Sequence, residues 1–293
     1  MTKIHQKHAY LILAHQDDLT FRTLIDMLDH PDNDIFIHMD KKLKNYQPNQ
    51  IKNLTKHSNI YHCTRTKVSW GAYSQINAEV SLLETAIKHG HYAYYHLVSG
   101  QDLPIKTQTD IHDFFNKHLG QEFIRFQSPA FQYENRIKYY YFFQEQIGKT
   151  GPKIIRIVNK LSLSMQRMFR VNRNKNIHFQ KGTNWFSITD DLAHYVIKNK
   201  TWIKQTFKYT QCCDEIFLQT LVHNSNYKNH LCHKKYDNNP SAIMRLIDWE
   251  RGKPYTYRIS DFDEIRHSHL LFARKFNASI DSEIIKKIKE TYS

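Results

Sequence analysis

Residues that bend, interrupt or cross-link a backbone are scarce in this chain. Eight glycines and seven prolines in 293 residues exclude a Gly- or Pro-rich array, and neither a repeat period nor a disordered tract stands out. The four cysteines, Cys63, Cys212, Cys213 and Cys232, show no Cys-x-x-Cys spacing for a metal, and the adjacent pair suits a disulfide framework badly. Reduced thiols in a cytosol follow. Long apolar runs are missing as well. Behind the basic N-terminus, Met1 to His8, the apolar stretch Ala9 to Ala14 stops at His15-Gln16-Asp17-Asp18, too short for a signal-peptide core or a membrane span. The expected location is therefore cytoplasmic. Acid is the last deficit: 28 Asp and Glu face 42 Lys and Arg, a formal charge of +14. That excess attracts polyanions, whether nucleic acid, anionic lipid headgroups or nucleotide diphosphates.

What is present is enough apolar sequence, 40% of the chain, for one large α/β domain, read here as residues 1–293. Ala9 to Ala14 reads as a buried strand, Leu19 to Leu28 as a helix with Phe21, Leu24, Ile25 and Leu28 on one face, and Asp34 to His38 as a second strand. This βαβ opening predicts a mostly parallel sheet flanked by helices. After a short strand, Asn59 to His62, the helix Tyr73 to His89 puts Ile76, Val80, Leu83 and Ile87 in the core and Gly90 at a left-handed cap.

Tyr92 to Val98 is a β-branched and aromatic run of strand length, broken by Ser99-Gly100. Ligands of open α/β sheets sit beyond the carboxyl ends of the strands, so Ser99, Gln101 and Asp102 are expected to face a crevice there, with Leu103-Pro104 as an extended exit. His38 and Asp40 end their strand on the same edge. Downstream come a helix from Asp110 to Lys117, strands Glu122 to Phe126, Lys181 to Thr189 and Ala242 to Ile247, and a helix opened by Asp214-Glu215. Between residues 128 and 180 the pattern weakens around a basic, helix-like stretch, Ile155 to Phe169. It reads as an insertion that shapes the acceptor side, its basic helix either touching an anionic membrane through its Lys and Arg face or lying as a solvated amphipathic helix.

Ser99-Gly100-Gln101-Asp102-Leu103-Pro104 resembles the signature of the core-2/I-branching β-1,6-N-acetylglucosaminyltransferase and peptide O-xylosyltransferase family, glycosyltransferase family 14. Upstream, His38-Met39-Asp40-Lys41-Lys42 and Val68-Ser69-Trp70-Gly71-Ala72-Tyr73-Ser74 resemble its early blocks. Gly182-Thr183-Asn184-Trp185-Phe186, Asp214-Glu215-Ile216-Phe217 and Leu271-Phe272-Ala273-Arg274-Lys275-Phe276 resemble its later ones, in order. The resemblance implies a GT-A-type fold and inverting transfer of a sugar from a UDP-sugar to a hydroxyl of a glycan, glycolipid or protein. It implies Glu215 as general base, with Asp214 beside it. It places His15, His38, Asp40, Trp70, Gly71, Ser99, Gln101 and Asp102 at the donor and Asn184 and Trp185 at the acceptor. The longer-known animal members are membrane-anchored and disulfide-rich, so this chain is expected to be a soluble, bacterial version, with N-acetylglucosamine ahead of xylose as donor sugar.

Inverting transfer needs a base for the acceptor's proton and positive charge against the departing diphosphate. Many GT-A enzymes hold a divalent ion with an Asp-x-Asp pair near this point of the sheet; here Ser99-Gly100-Gln101-Asp102 offers one acid, and a hard cation wants more. A metal-independent reaction without a cofactor is expected, with Arg274 and Lys275 on the diphosphate and Arg251 and Lys253 as weaker candidates. Asp32-Asn33-Asp34 sits at the wrong strand edge for a metal, whereas Asp261-Phe262-Asp263 lies a few residues before Arg274 and stays open. A single-stranded nucleic-acid binder is the alternative raised by charge and 18 tyrosines. No recognition helix, zinc or RNP-like motif accompanies it.

Overall fold

The structure, a computed structural model, describes residues 7–293; Met1 to Gln6 of the basic N-terminus lie outside the described residues. Nine strands are described: β1 (His8–Ala14), β2 (Asn33–Met39), β3 (Asn59–His62), β4 (Tyr94–Ser99), β5 (Asp102–Pro104), β6 (Phe123–Phe126), β7 (Gly182–Thr189), β8 (Arg245–Ile247) and β9 (Phe272–Arg274). Six form the central sheet in the order β3-β2-β1-β4-β7-β6, and the other three a small sheet, β5-β9-β8. β1 to β4 are mutually parallel, and β7 enters antiparallel beside β4.

β1 and β2 read as unbroken apolar runs because the sheet is covered on both faces. Alternate residues point to opposite sides. Ala9 and Leu11 of β1 and Tyr95 and Leu97 of β4 join one core with the Tyr73–His89 and Asp190–Lys198 helices. Tyr10, Ile12, Tyr94 and Val98 join the other with the Leu19–Met27, Gln108–Lys117 and Glu283–Tyr292 helices. The mostly parallel α/β sheet flanked by helices expected from the βαβ opening is therefore what forms.

Five local expectations differ. The strand read over Ala242 to Ile247 shortens to β8, Arg245–Ile247, behind a 3-10 turn, Pro240–Ala242. Leu103-Pro104 is no mere exit: with Asp102 it makes β5, which pairs antiparallel with β9 so that Asp102 faces Arg274. Gly90 ends its helix in an extended conformation, φ 164°, not a left-handed one. Ile87 on the same helix is only partly buried. Asp214 and Glu215 do not open an α-helix; they lie on a single 3-10 turn, Cys213–Glu215, ahead of the Phe217–His223 helix. Within residues 128–180 three helices form, Glu134–Lys138, Gln144–Ile147 and Lys153–Met168, with the aromatic run Tyr139 to Phe143 linking the first two.

Candidate active site

A cleft of about 900 Å³ opens beyond the carboxyl ends of β1, β2 and β4, lined there by His15, Asp40 and Ser99, and by Gly182 to Trp185 where antiparallel β7 enters. Its lining also includes His38, Trp70, Gln101, Asp214, Glu215, Lys253 and Arg274. Residues separated by more than two hundred positions thus meet at the one edge where a parallel sheet leaves backbone groups and loops free.

On one side sits positive charge. Arg274, at the end of β9, lies over the Trp185 ring at 4.2 Å, and its Nε and Nη1 have no hydrogen-bond partner among the described residues. Nη1 is 3.6 Å from Asp102 Oδ1. Lys275 follows it and, unlike Arg274, is not part of the cleft lining; burial, with the charges of Arg274 and Lys149 adding, lowers its pKa from the ordinary lysine value. Lys149 and Lys253 line the same cleft. Several cations gathered beside a single acid, Asp102, leave net positive charge for an anion. His15, whose pKa burial lowers, completes this side near β1.

On the other side are two carboxylates. Cys212, in the left-handed conformation at φ 48°, turns the chain into the Cys213–Glu215 turn, and its N–H donates to Gly71 O at 2.8 Å. Glu215 accepts from Arg136 at 3.1 Å and lies 3.3 Å from Lys181 Nζ. Asp214 is buried and accepts from Gln75 Nε2 at 2.8 Å. Burial, with the Glu215 charge adding, pushes the Asp214 carboxyl up to about 7. Both line the cleft, so adjacency on this turn does not divide them between inside and outside. Trp70, more than half exposed, stands at the mouth, and Gly71 behind it takes φ 70°, a conformation that suits glycine.

Several expected positions are held by the protein's own hydrogen bonds, Asp102 behind the cleft lining and His38 and Asp40 within it. Asp102 is 1% exposed: it accepts from Ser99 N at 3.0 Å and Ser99 Oγ at 2.6 Å and faces Arg274. It is a buried anchor for the strand end and for Arg274, not a group presented to the crevice. His38 accepts the Thr66 N–H at 3.2 Å, and Asp40 accepts the Lys42 N–H at 2.9 Å. Both therefore shape loops at the lining, and burial lowers the His38 pKa. Arg251 is taken up by Asp248, by Asp261 at 2.8 Å and by Glu264 at 2.7 Å, outside the cleft lining. Its charge is spent on those acids, which also removes Asp261 from the metal candidates: its other oxygen accepts from Arg258 N at 2.8 Å. Asp34 of the remaining Asp-x-Asp binds Tyr92 and Asn59 at the opposite end of β2. Among the described residues, His91, Asp190 and His194 lie close enough to share an ion, away from the cleft lining.

Sequence reasoning missed Gln75, Arg136, Lys149, Lys181 and Trp249. Gln75 sits one helical turn before Glu79 on a face read only for its apolar residues. Arg136 lies within the weakly patterned segment and Lys181 just past its end, and only their convergence on Glu215 gives them a role. Trp249, half exposed in the cleft lining, precedes the basic loop that drew attention instead.

Comparison with known proteins follows this geometry. The family model described as Core-2/I-Branching enzyme matches residues 8–270. A xylosyltransferase, sqv-6, of Caenorhabditis briggsae is 24% identical over 89% of this chain and 33% of its own. Human xylosyltransferase 1 is 21% identical over 96% of this chain and 30% of its own. A mouse β-1,3-galactosyl-O-glycosyl-glycoprotein β-1,6-N-acetylglucosaminyltransferase 3 is 22% identical over 96% and 67%. The chain spans about a third of the length of the first xylosyltransferases it matches.

Proposed function

Since the chain belongs to the Core-2/I-branching enzyme family, we propose that it is an inverting glycosyltransferase that moves a sugar from a UDP-sugar to a hydroxyl of a glycan, glycolipid or protein. The observation that carries this reading is one cleft with Arg274, whose Nε and Nη1 make no hydrogen bond among the described residues, and a carboxylate, Glu215, held by Arg136 and Lys181. Glu215 takes the acceptor hydroxyl's proton as the oxygen attacks the sugar's anomeric carbon, and the bond to the diphosphate breaks with inversion. Charge growing on the departing phosphate falls to Arg274 and Lys275, supported by Lys149 and Lys253. Trp70 and Trp249 offer flat faces at the mouth for base or sugar, and Asn184 contributes polar contacts to the acceptor.

This reading needs no metal. A hard cation wants several oxygen ligands, and the carboxylates near the phosphate side are engaged: Asp102 with Ser99 and Arg274, Asp40 with Lys42, Asp261 with Arg251. Activity is expected to persist in excess chelator. Loss of turnover on chelation, restored by manganese, would overturn the metal-free part.

Glu215→Gln keeps shape and removes the basic oxygen, so it is expected to lower transfer about 10²- to 10⁴-fold, or roughly 3–5 kcal/mol, with UDP affinity and folding unchanged. Should Asp214→Asn be the dead variant and Glu215→Gln the active one, the base is Asp214. For the donor sugar, relatives named for xylose and for N-acetylglucosamine stand at 24%, 21% and 22% identity, so likeness does not separate them. N-Acetylglucosamine is proposed, with xylose the second reading. Protection from thermal unfolding by UDP-N-acetylglucosamine against UDP-xylose decides. Nucleic acid is not a proposed partner, and filter binding that survives moderate salt would contradict that.

A further inference from the structure

The Lys153–Met168 helix is built inside out. Its buried residues are polar, Asn159 and Gln166, and Gln166 holds the chain by hydrogen bonds with Tyr140 N at 2.7 Å and Tyr140 O at 3.0 Å. Six of its eight apolar residues face outward instead: Ile154, Ile157, Val158, Leu161, Met165 and Met168 are between 42% and 75% exposed, with Ile155 and Leu163 half-buried. At about 100° per residue these six fall on one stripe roughly 100° wide. Lys153, Arg156, Lys160 and Arg167, all exposed, run along one flank of it. From Gln146 to Thr189 the chain has nine Lys and Arg and no Asp or Glu.

We propose that this helix seats the protein on an anionic lipid bilayer, its apolar stripe in the headgroup and acyl boundary and its basic flank against lipid phosphates. A helix with an apolar stripe, a Lys- and Arg-rich flank and little net hydrophobicity has the composition of an interfacial helix. An apolar stripe also accepts a second copy of the same helix. Two copies carry the same acid-free basic segment and the same +14 charge, so the pairing is opposed where the bilayer's is favoured. The helix is coupled to the cleft mouth: in the segment just before it, Glu145 accepts from Ser74 N at 2.9 Å and Gln144 donates to Trp70 O at 3.2 Å. Docking there would hold Trp70 and Lys149 at the membrane surface. The proposal is independent of the transferase reading, because vesicle binding needs neither donor nor turnover.

The test is sedimentation of the full chain with vesicles of phosphatidylcholine alone and of phosphatidylcholine with phosphatidylglycerol. The wild-type chain is expected to bind the anionic vesicles and to be partly released by salt. Ile157→Ser/Leu161→Ser/Met165→Ser alters only exposed positions, so it is expected to keep the native circular dichroism and melting temperature while weakening binding at least about tenfold. Arg156→Gln/Lys160→Gln is expected to reduce the preference for anionic vesicles. Absence of wild-type binding, or equal binding by the triple serine variant, overturns the proposal. So does a wild-type dimer that the triple variant dissociates without any change in vesicle binding, since a second copy would then cover the face.

Discussion

At the scale of single residues, the cleft's cationic wall depends on one buried acid. Asp102 lies 3.6 Å from Arg274, and its charge also acts on the fully buried Arg245, whose guanidinium donates to Leu97 O at 2.7 Å and Ile243 O at 3.0 Å. Burial drives the Arg245 pKa down to about 10 and Asp102 opposes that. Asp102→Asn keeps one acceptor oxygen for Ser99, turns the other into an NH2 donor and removes the charge, leaving the buried Arg245 and the partly buried Arg274 without their counter-ion. Breaking a buried pair in this way costs about 3–5 kcal/mol, so urea unfolding should show a loss near 3 kcal/mol together with weaker UDP binding as Arg274 loses its tether. A variant of wild-type stability with weak UDP binding would return Asp102 to direct contact with the donor.

At the scale of elements, the site is a junction of loops whose geometry is set by a few unusual backbone positions. Gly71 carries φ 70°, and a Cβ there would stand 3.1 Å from Gln144 Nε2 and 3.2 Å from Cys212 Sγ. The Trp70 loop thereby lies against the turn that carries Asp214 and Glu215. Gly71→Ala is expected to cost about 1–2 kcal/mol for the left-handed conformation and to lower turnover at saturating donor beyond what the lost stability explains. A variant with full turnover would show that loop and turn are not coupled. Much of this framework was legible in sequence, because long helices and buried strands carry strong periodicity: Tyr73 to His89 and Asn59 to His62 match their elements end to end. β5 and the 3-10 turn were not legible. Three residues hold no period: β5 exists only through its pairing with distant β9, and the 3-10 turn, closed locally by Ile216 N to Cys213 O, is placed by the bond from Cys212 N to Gly71 O. The same limit applied to the site: motif residues could be placed at the sheet edge, while Arg136 and Lys181 became visible only through their contacts with Glu215.

At the scale of the whole molecule, buried titratable groups on the two faces of the sheet give stability opposite slopes with pH. On one face His8 and His96 are fully buried, 3.1 Å apart, with His96 bonded to Ser187 Oγ at 2.8 Å. Burial lowers both pKa values well below the usual histidine range. Their unfolded forms take up protons first, so this contribution is complete above about pH 6.5 and is lost as pH falls below it. On the other face Glu79 is fully buried with neither oxygen hydrogen-bonded among the described residues, and burial, with the Asp214 charge adding, raises its pKa well above the carboxylate range. Burial likewise raises Glu122 to about 7. For these acids the folded state holds the proton longer, so stability is lost as pH rises above the unfolded value of about 4.3. The two slopes oppose each other between about pH 4.3 and 6.5, and the wild-type melting temperature should change little there. Glu79→Gln is close in shape and cannot ionise, so it removes one acid slope. It is expected to melt close to wild type near pH 4 and progressively higher than wild type toward pH 7. A melting-temperature difference that does not change with pH would mean that Glu79 carries its charge in the folded protein and is paired there.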